Sequence, residues 1–329
     1  MTIYDIAKEA GVSASTVSRV INGKTGVKKE TREKIQHLLQ QYNFIPDENA
    51  RGLVSKSSKL IGILLEDIRN HYHTVVAYAI EQQLSKSGYC GIILNTSEYE
   101  KHIESSMEIL EQRRVEGVIM VGSMFQSEFV DTCIDRHLSG IPIVMANGKL
   151  ERENVWSVLV NEADGMAQCI DLLRAKDKKN IIYIQKPTTQ SSARKKQGFV
   201  KKMKALGYPE SEIIVVDAKP TLEGGYRATA AAIKQHIHTQ AFIYSEDIMA
   251  VGGLHALSDL NIKVPENVAI MGIDNSVYSK ATIPQLSTVD HGMEELGFLA
   301  AHTLITVLAE EPVPRCQQLE AKVVERKST

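Results

Sequence analysis

The stretch Thr2 to Asn22, TIYDIAKEAGVSASTVSRVIN, reads as two short helices joined by a tight turn. In the first, Ile3, Ile6, Ala7 and Ala10 recur at helical spacing on one face, and Thr2 with Asp5 has the form of a capping box. Gly11 ends it, because glycine accepts the left-handed backbone that closes a helix. Ser13 can cap a second helix whose Val17, Val20 and Ile21 pack back on the first. Its other face carries Ala14, Ser15, Thr16, Ser18, Arg19 and Asn22, small and polar enough for a major groove, with Arg19 able to contact guanine through two hydrogen bonds. An ordinary helical hairpin would share the turn but would not need that slim face.

Moving outward, Lys24, Lys28 and Lys29 precede a third helix, expected from Thr31 to about Tyr42, whose Ile35, Leu38, Leu39 and Tyr42 close a small core. Lysines beside a reading helix suit phosphate contact, although basic runs at a helix start are often simply solvated. Pro46 ends the head. Asp47 to Ser55 could form one short helix from which Leu53 projects as a lone apolar side chain. Gly52 costs it about 1 kcal/mol and so short a helix is marginal in water, so it is expected to order only against DNA or a second copy.

Length and charge agree with a composite chain. At 329 residues it exceeds what one core usually serves, and 43% apolar content can fill two or three domains. Net charge is −2, but residues 1 to 59 carry ten Lys/Arg against six Asp/Glu, so a basic head precedes an acidic body. Cys90, Cys133, Cys169 and Cys316 are scattered without a CxxC pair, which speaks for reduced thiols and against a zinc site. With no long apolar run and no charged-then-apolar leader, a cytoplasmic protein without membrane contact is expected.

From Leu60 the pattern alternates: LIGILL, an amphipathic helix from Tyr72 to Lys86, then GIIL, GVIMV and IPIVM, and again IIYI, IIVV, AFIY and VAIM. Strand and helix in turn imply parallel sheets wrapped on both faces, here two doubly wound lobes of similar size. In such sheets ligands bind beyond the carboxyl ends of the strands, so the cleft between the lobes is the expected site. Gly252-Gly253 lies inside a helix and reads as close helix packing, since no GxxxxGK[ST] context surrounds it.

The run YDIAKEAGVSxSTVSRVIN, followed by TREKI, by Phe44-Ile45-Pro46 and by Ala50-Arg51-x-Leu53, resembles the lactose/galactose-repressor (LacI/GalR) family, and the similarity continues through nearly the whole chain. The resemblance implies an all-α helix-turn-helix head (1–46), a hinge helix (47–58) and a type I periplasmic-binding-protein-like core (59–329). The core's N-lobe would take about 59–160 and 291–319, and its C-lobe about 161–290 and 320–329, with crossings near Val160, near Asp290 and near the C-terminal strand. It implies DNA contacts from Thr2, Tyr4, Ser13, Ala14, Ser15, Thr16, Ser18, Arg19, Asn22, Lys28, Lys29, Thr31, Arg51 and Leu53, the last as a minor-groove wedge. Lys28 stands where the family commonly has serine, so the third helix should lack its usual cap.

The same resemblance places effector contacts at Tyr72, His73, Ser123, Asn147, Val160, Lys195, Glu246, Asp247, Asp274 and His291. Three substitutions break the pattern: His71 replaces a proline, Lys195 an arginine, and Glu246 the asparagine of an asparagine-aspartate pair. Lysine lacks the bidentate fork of arginine, and Arg194, one step away, should point some 100° around the helix. Asp247 and Asp274 have structural alternatives as helix or turn caps.

These readings converge on a homodimeric repressor of a carbohydrate-related catabolic operon that binds a pseudo-palindromic double-stranded DNA operator and a small-molecule effector related to a sugar. No cofactor, metal or membrane is expected. A solute-binding receptor would share the lobes but not the head, and a regulator using a protein co-repressor would keep both. Adjacent Glu246 and Asp247 suggest hydrolase chemistry only superficially, since no nucleophile-base pair accompanies them.

Overall fold

The computed structural model describes residues 2–21, 23–44, 57–187 and 189–329. The chain divides into two compact units, Met1–Ser58 and Lys59–Thr329. Asn22, Arg51 and Leu53, all assigned to DNA above, lie outside the described residues, as does most of the segment read as a hinge.

In the first unit, helices α1 (Ile3–Ala10), α2 (Ala14–Ile21) and α3 (Lys29–Gln41) surround a core of Ile6, Ala7, Ala10, Val17, Val20, Ile35 and Leu38. Thr2 and Asp5 complete the capping box, each side chain taking the other's backbone amide. Gly11 turns the chain at φ +73°, and the Lys34 ammonium donates to Ala10 O at 3.0 Å, a cation on the carboxyl end of α1. Helix α3 begins two residues before Thr31, and its N-cap Lys28 makes no side-chain capping bond.

The second unit holds two six-stranded sheets. The first runs β11-β5-β4-β3-β1-β2, built from β1 (Leu60–Leu65), β2 (Cys90–Asn95), β3 (Gly117–Val121), β4 (Ile143–Ala146), β5 (Val155–Val160) and β11 (Cys316–Leu319). The second runs β12-β10-β9-β8-β6-β7, from β6 (Ile181–Gln185), β7 (Ile214–Asp217), β8 (Ala241–Tyr244), β9 (Ala269–Ile273), β10 (Ser287–Asp290) and β12 (Lys322–Val324). All pairings are parallel except β10 with β12.

The helices α4 (His71–Lys86), α5 (Glu100–Gln112), α6 (Glu128–His137), α7 (Glu162–Ala175), α8 (Gln190–Ala205), α9 (Leu222–Gln235), α10 (Asp247–Asp259), α11 (Val277–Ala281) and α12 (Met293–Leu308) cover the sheets. Strands such as β3, buried at every residue, explain the continuous apolar runs, which period-2 alternation would not produce. The chain crosses between sheets from β5 to α7, from β10 to α12 and from β11 to β12.

Gly252 and Gly253 let α10 press against its neighbours. A Cβ at Gly252 would fall 2.0 Å from Leu222 O, and one at Gly253 2.0 Å from the Tyr244 hydroxyl. All four cysteines are free, with Cys133 and Cys169 buried and Cys90 and Cys316 exposed. Among the described residues no helix is long and apolar enough to cross a membrane.

Candidate functional sites: a reading helix and an interlobe chamber

Helix α2 buries Val17 and Val20 and leaves Ser15 and Arg19 exposed, with Ala14, Thr16 and Ser18 half-buried. Ser13 organises its start. The Ser13 hydroxyl accepts from Thr16 N at 3.3 Å and lies 2.8 Å from the Ser15 hydroxyl and 2.9 Å from that of Thr16. Among the described residues Arg19 and Lys28 enter no ion pair, and Lys29 has only a loose 3.9 Å approach to Glu33 while 90% of its side chain stays exposed. Tyr4 is 73% exposed, an aromatic ring that a folded core would normally recruit. Thr31 is half-buried at the start of α3.

The second site lies between the two sheets, where strand ends and helix starts converge. A chamber of about 70 Å³ is lined from one lobe by Glu66, Tyr72, His73, Ser123 and Asn147, and from the other by Glu162, Lys186, Lys195, Glu246 and Asp274, with His291 at a crossing. Of the residues expected at the effector site, Tyr72, His73, Ser123, Asn147, Lys195, Glu246, Asp274 and His291 share this lining. Two do not. Val160 packs in the apolar core at 3% exposure, because its side chain points to the buried face of β5. Asp247 turns away into a clasp: its carboxylate accepts from Ser276 N (2.7 Å), the Ser276 hydroxyl (2.8 Å) and the Thr288 hydroxyl (2.7 Å).

The wall is held by bonds that join one lobe to the other. Ser191 N donates to the Ser123 hydroxyl at 2.9 Å, and Arg194 Nη2 donates to Asn147 Oδ1 at 2.9 Å. Asn147 Nδ2 donates to Glu162 Oε1 at 3.1 Å, and Lys186 Nζ stands 3.3 Å from both oxygens of Glu66. Glu66 and Lys186 also border two wider cavities of about 930 and 420 Å³, and Tyr72, His73, Glu246 and Asp274 line the smaller of the two as well.

Glu162, whose side chain is fully buried, anchors the charges. It takes Arg194 Nε at 2.7 Å, lies 3.9 Å from Lys195 Nζ and accepts a very short bond from the Ser191 hydroxyl. Burial works to raise its carboxyl, but Lys195 and Arg194 overcome that and hold it below the usual range. Lys195 itself donates to Ser245 O at 3.3 Å.

The remaining acids are in a different condition. Burial pushes Asp274 well above the usual carboxylate range and raises Glu246. Burial also depresses His291 to about 4, and its Nδ1 stands 3.6 Å from Asp274 Oδ1. Buried His73, likewise depressed by burial, sets Nδ1 3.0 Å from Asp67 O. Asp274 occupies φ +112°, where a residue with a Cβ is strained, and Asn147 sits at φ +66°. Asparagine tolerates the left-handed region, so the strain is at Asp274, and strain of that kind gathers at ligand sites. Among the described residues no cluster of three metal-ligating side chains exists.

Glu66, Glu162 and Lys186 escaped sequence reasoning, while Arg194 was named only as pointing away from Lys195. Glu66 and Lys186 each follow directly on a strand, β1 and β6, and Glu162 follows β5 by two residues, so the rule of strand carboxyl ends could have found all three. Glu246 and Asp247 diverge at the start of α10, which ends any resemblance to a paired-carboxylate active site.

Residues 2–47 match the sequence model described as bacterial regulatory proteins, lacI family, and residues 170–329 match that of a periplasmic binding protein-like domain. A transcriptional regulator of Lachnoclostridium phytofermentans, of the HTH type, is 28% identical over 332 residues, spanning 100% of this chain and 99% of its own. The ribose operon repressor of Halalkalibacterium halodurans is 28% identical over 330 residues, spanning 100% and 97%. The crystal structure of the lac repressor dimer bound to operator and the anti-inducer ONPF superposes with a TM-score of 0.91 at 23% identity, covering 100% of this chain and 98% of that one.

Proposed function

We propose that this DNA-binding transcriptional regulator, whose head matches the lacI family of bacterial regulatory proteins, is a homodimeric, cytoplasmic repressor of a carbohydrate-related operon whose effector binds in the interlobe chamber. The observation that carries the DNA assignment is helix α2, with an exposed Arg19 and small polar neighbours opposite its buried valines. One such head reads only a few base pairs, so a pseudo-palindromic operator and two copies follow. Similarity to a ribose operon repressor supports the sugar-related class.

Arg19→Ala should lose about 1–3 kcal/mol on the operator and relax the choice of base at one position in each half-site. Lys29→Ala should weaken specific and random DNA alike and reduce the salt dependence, as loss of a phosphate contact does. Mobility shifts on operator and scrambled duplexes over a salt series measure both. Equal losses on the two duplexes for Arg19→Ala would remove α2 from the reading role.

A second copy also fits an apolar surface of the second unit. A cavity of about 600 Å³ is lined by Val251, Leu254, Ile262, Val264, Tyr278 and Ile283, and Ile283 is 98% exposed. Monomeric proteins seldom leave so large an apolar concavity beside a bare isoleucine, and an isologous dimer would cover both copies at once. Ile283→Glu should shift the protein towards monomer in sedimentation velocity while leaving its melting cooperative. A variant that stays fully dimeric would place the contact elsewhere.

A further inference from the structure

The chamber's charges are unevenly answered. Glu66 is paired with Lys186, and Glu162 with Arg194, but among the described residues Glu246 forms no ion pair and Asp274 approaches only His291. Lys195, the remaining cation of the lining, leans on Glu162 and on Ser245 O. Glu246 sits at the N-cap of α10, yet its side chain makes no capping bond and turns to the chamber wall instead. On the opposite wall the Tyr72 hydroxyl is buried beside Asn147, with no hydrogen bond of good geometry. Two carboxyls that share the field of Lys195 but have no cation at ion-pair distance, and a buried hydroxyl, line one space whose backbone is strained at Asp274.

We infer that the effector is a small polyhydroxylated primary amine of the amino-sugar class, its ammonium seated against Glu246 and Asp274 and its hydroxyls against Lys195, Asn147 and Tyr72. This rests on the reading of the chamber as the effector site. An ammonium offers three donors to two carboxyls, and it restores the balance that Lys186, Lys195 and Arg194 leave short by one against Glu66, Glu162, Glu246 and Asp274. The helix starts facing the chamber favour anions, which makes ionised Glu246 and Asp274 tolerable once a cation is beside them. Burial depresses both His73 and His291, which disfavours a competing positive charge. At about 70 Å³ the chamber alone is below the roughly 300–1,000 Å³ of usual ligand sites, but Tyr72, Glu246 and Asp274 also border the cavity of about 420 Å³, which supplies the remaining space.

The experiment is titration calorimetry of the full chain with D-glucosamine, D-galactosamine and D-mannosamine, each beside its neutral hexose and its hexuronate, in two buffers of different ionisation enthalpy. At least one amine should bind about tenfold tighter than the sugar with a hydroxyl in its place, a margin of about 1.4 kcal/mol. Burial raises the Glu246 and Asp274 carboxyls and a neighbouring ammonium lowers them, so binding of the amine should expel protons. In Glu246→Gln and in Asp274→Asn the preference should fall to within about twofold, with proton release reduced. Both variants are near-isosteric, and their melting curves report whether they fold. A hexose or hexuronate that binds as tightly as its amine, or no binding by any of the three amines, overturns the amine assignment. If a neutral or acidic sugar binds and is lost in Asp274→Asn, the chamber remains the effector site. If every ligand found is indifferent to Glu246, Asp274 and Lys195 substitutions, the reading of the chamber falls too.

Discussion

Glu162→Ala is expected to destabilise the second unit by about 3–5 kcal/mol, the cost of removing one partner from a buried ion pair. The carboxylate is fully buried and serves Arg194, Lys195, Asn147 and Ser191 together. Without it the Lys195 ammonium, 91% buried by side chain, is left with Ser245 O as its sole close acceptor among the described residues. The melting temperature should fall by roughly 10 °C, at a few degrees per kcal/mol for a domain of this size. Glu162→Gln keeps one acceptor and should lose about half as much.

The pH signature has a fixed sign. Because the folded state holds Glu162 below its ordinary value of 4.5, its contribution is fully present above that pH and is lost as pH falls through the lower folded value. Glu162→Gln should therefore flatten the acid limb of melting temperature against pH. A loss under about 1 kcal/mol in Glu162→Ala would mean that Lys195 finds a new partner in Glu246 or Asp274, and that the wall is plastic.

The fold was legible because its signals are local. LIGILL coincides with β1 and GVIMV with β3, since a parallel strand covered on both faces must be apolar throughout. Thr2, Asp5, Gly11 and Ser13 announce the helix-turn-helix through hydrogen bonds between near neighbours. The chamber was legible only where position along a strand decides the matter. Glu66 and Lys186 are 120 residues apart, and their pairing depends on how the lobes approach, which no periodicity encodes.

Trp156 shows the same boundary. Its place before a crossing suggests a reporter of lobe closure, but it lies near the start of β5, with the Arg315 guanidinium 4.1 Å above its ring, whereas the chamber is at the strand's far end. Its emission therefore reports the β5–β11 edge. Lys195 and Arg194 divide what one arginine would do. The lysine lines the chamber, while Arg194 spans from Glu162 to Asn147 across the lobes.

Asp247 and Asp274 were read from sequence as similar acids, but one sits in a clasp of hydroxyls and the other in the chamber lining, and two measurements test the roles proposed for them. Asp247→Ala orphans three donors, Ser276 N and the hydroxyls of Ser276 and Thr288, in a space only 1% exposed. At about 1 kcal/mol or more for each unsatisfied group, the loss should reach about 3 kcal/mol or more. The fit is tight on the far side as well, since a Cβ at Gly272 would stand 2.1 Å from Asp247 Oδ1. Burial pushes this carboxyl up to about 6 against the pull of those donors. The folded state thus binds the proton more strongly than the unfolded chain, and stability falls as pH rises from about 4 to about 6, then levels. Asp247→Asn should remove that component of the slope, opposite in sign to the one Glu162 supplies, and it serves as the test should the alanine variant fail to fold. Asp274→Asn should behave in reverse: little or no loss of melting temperature, because a strained residue with a buried acid gives up its charge, but a large loss of effector binding. If Asp247→Asn abolishes effector binding while its melting temperature stays at the wild-type value, then the carboxylate that meets the ligand has been misassigned between the two.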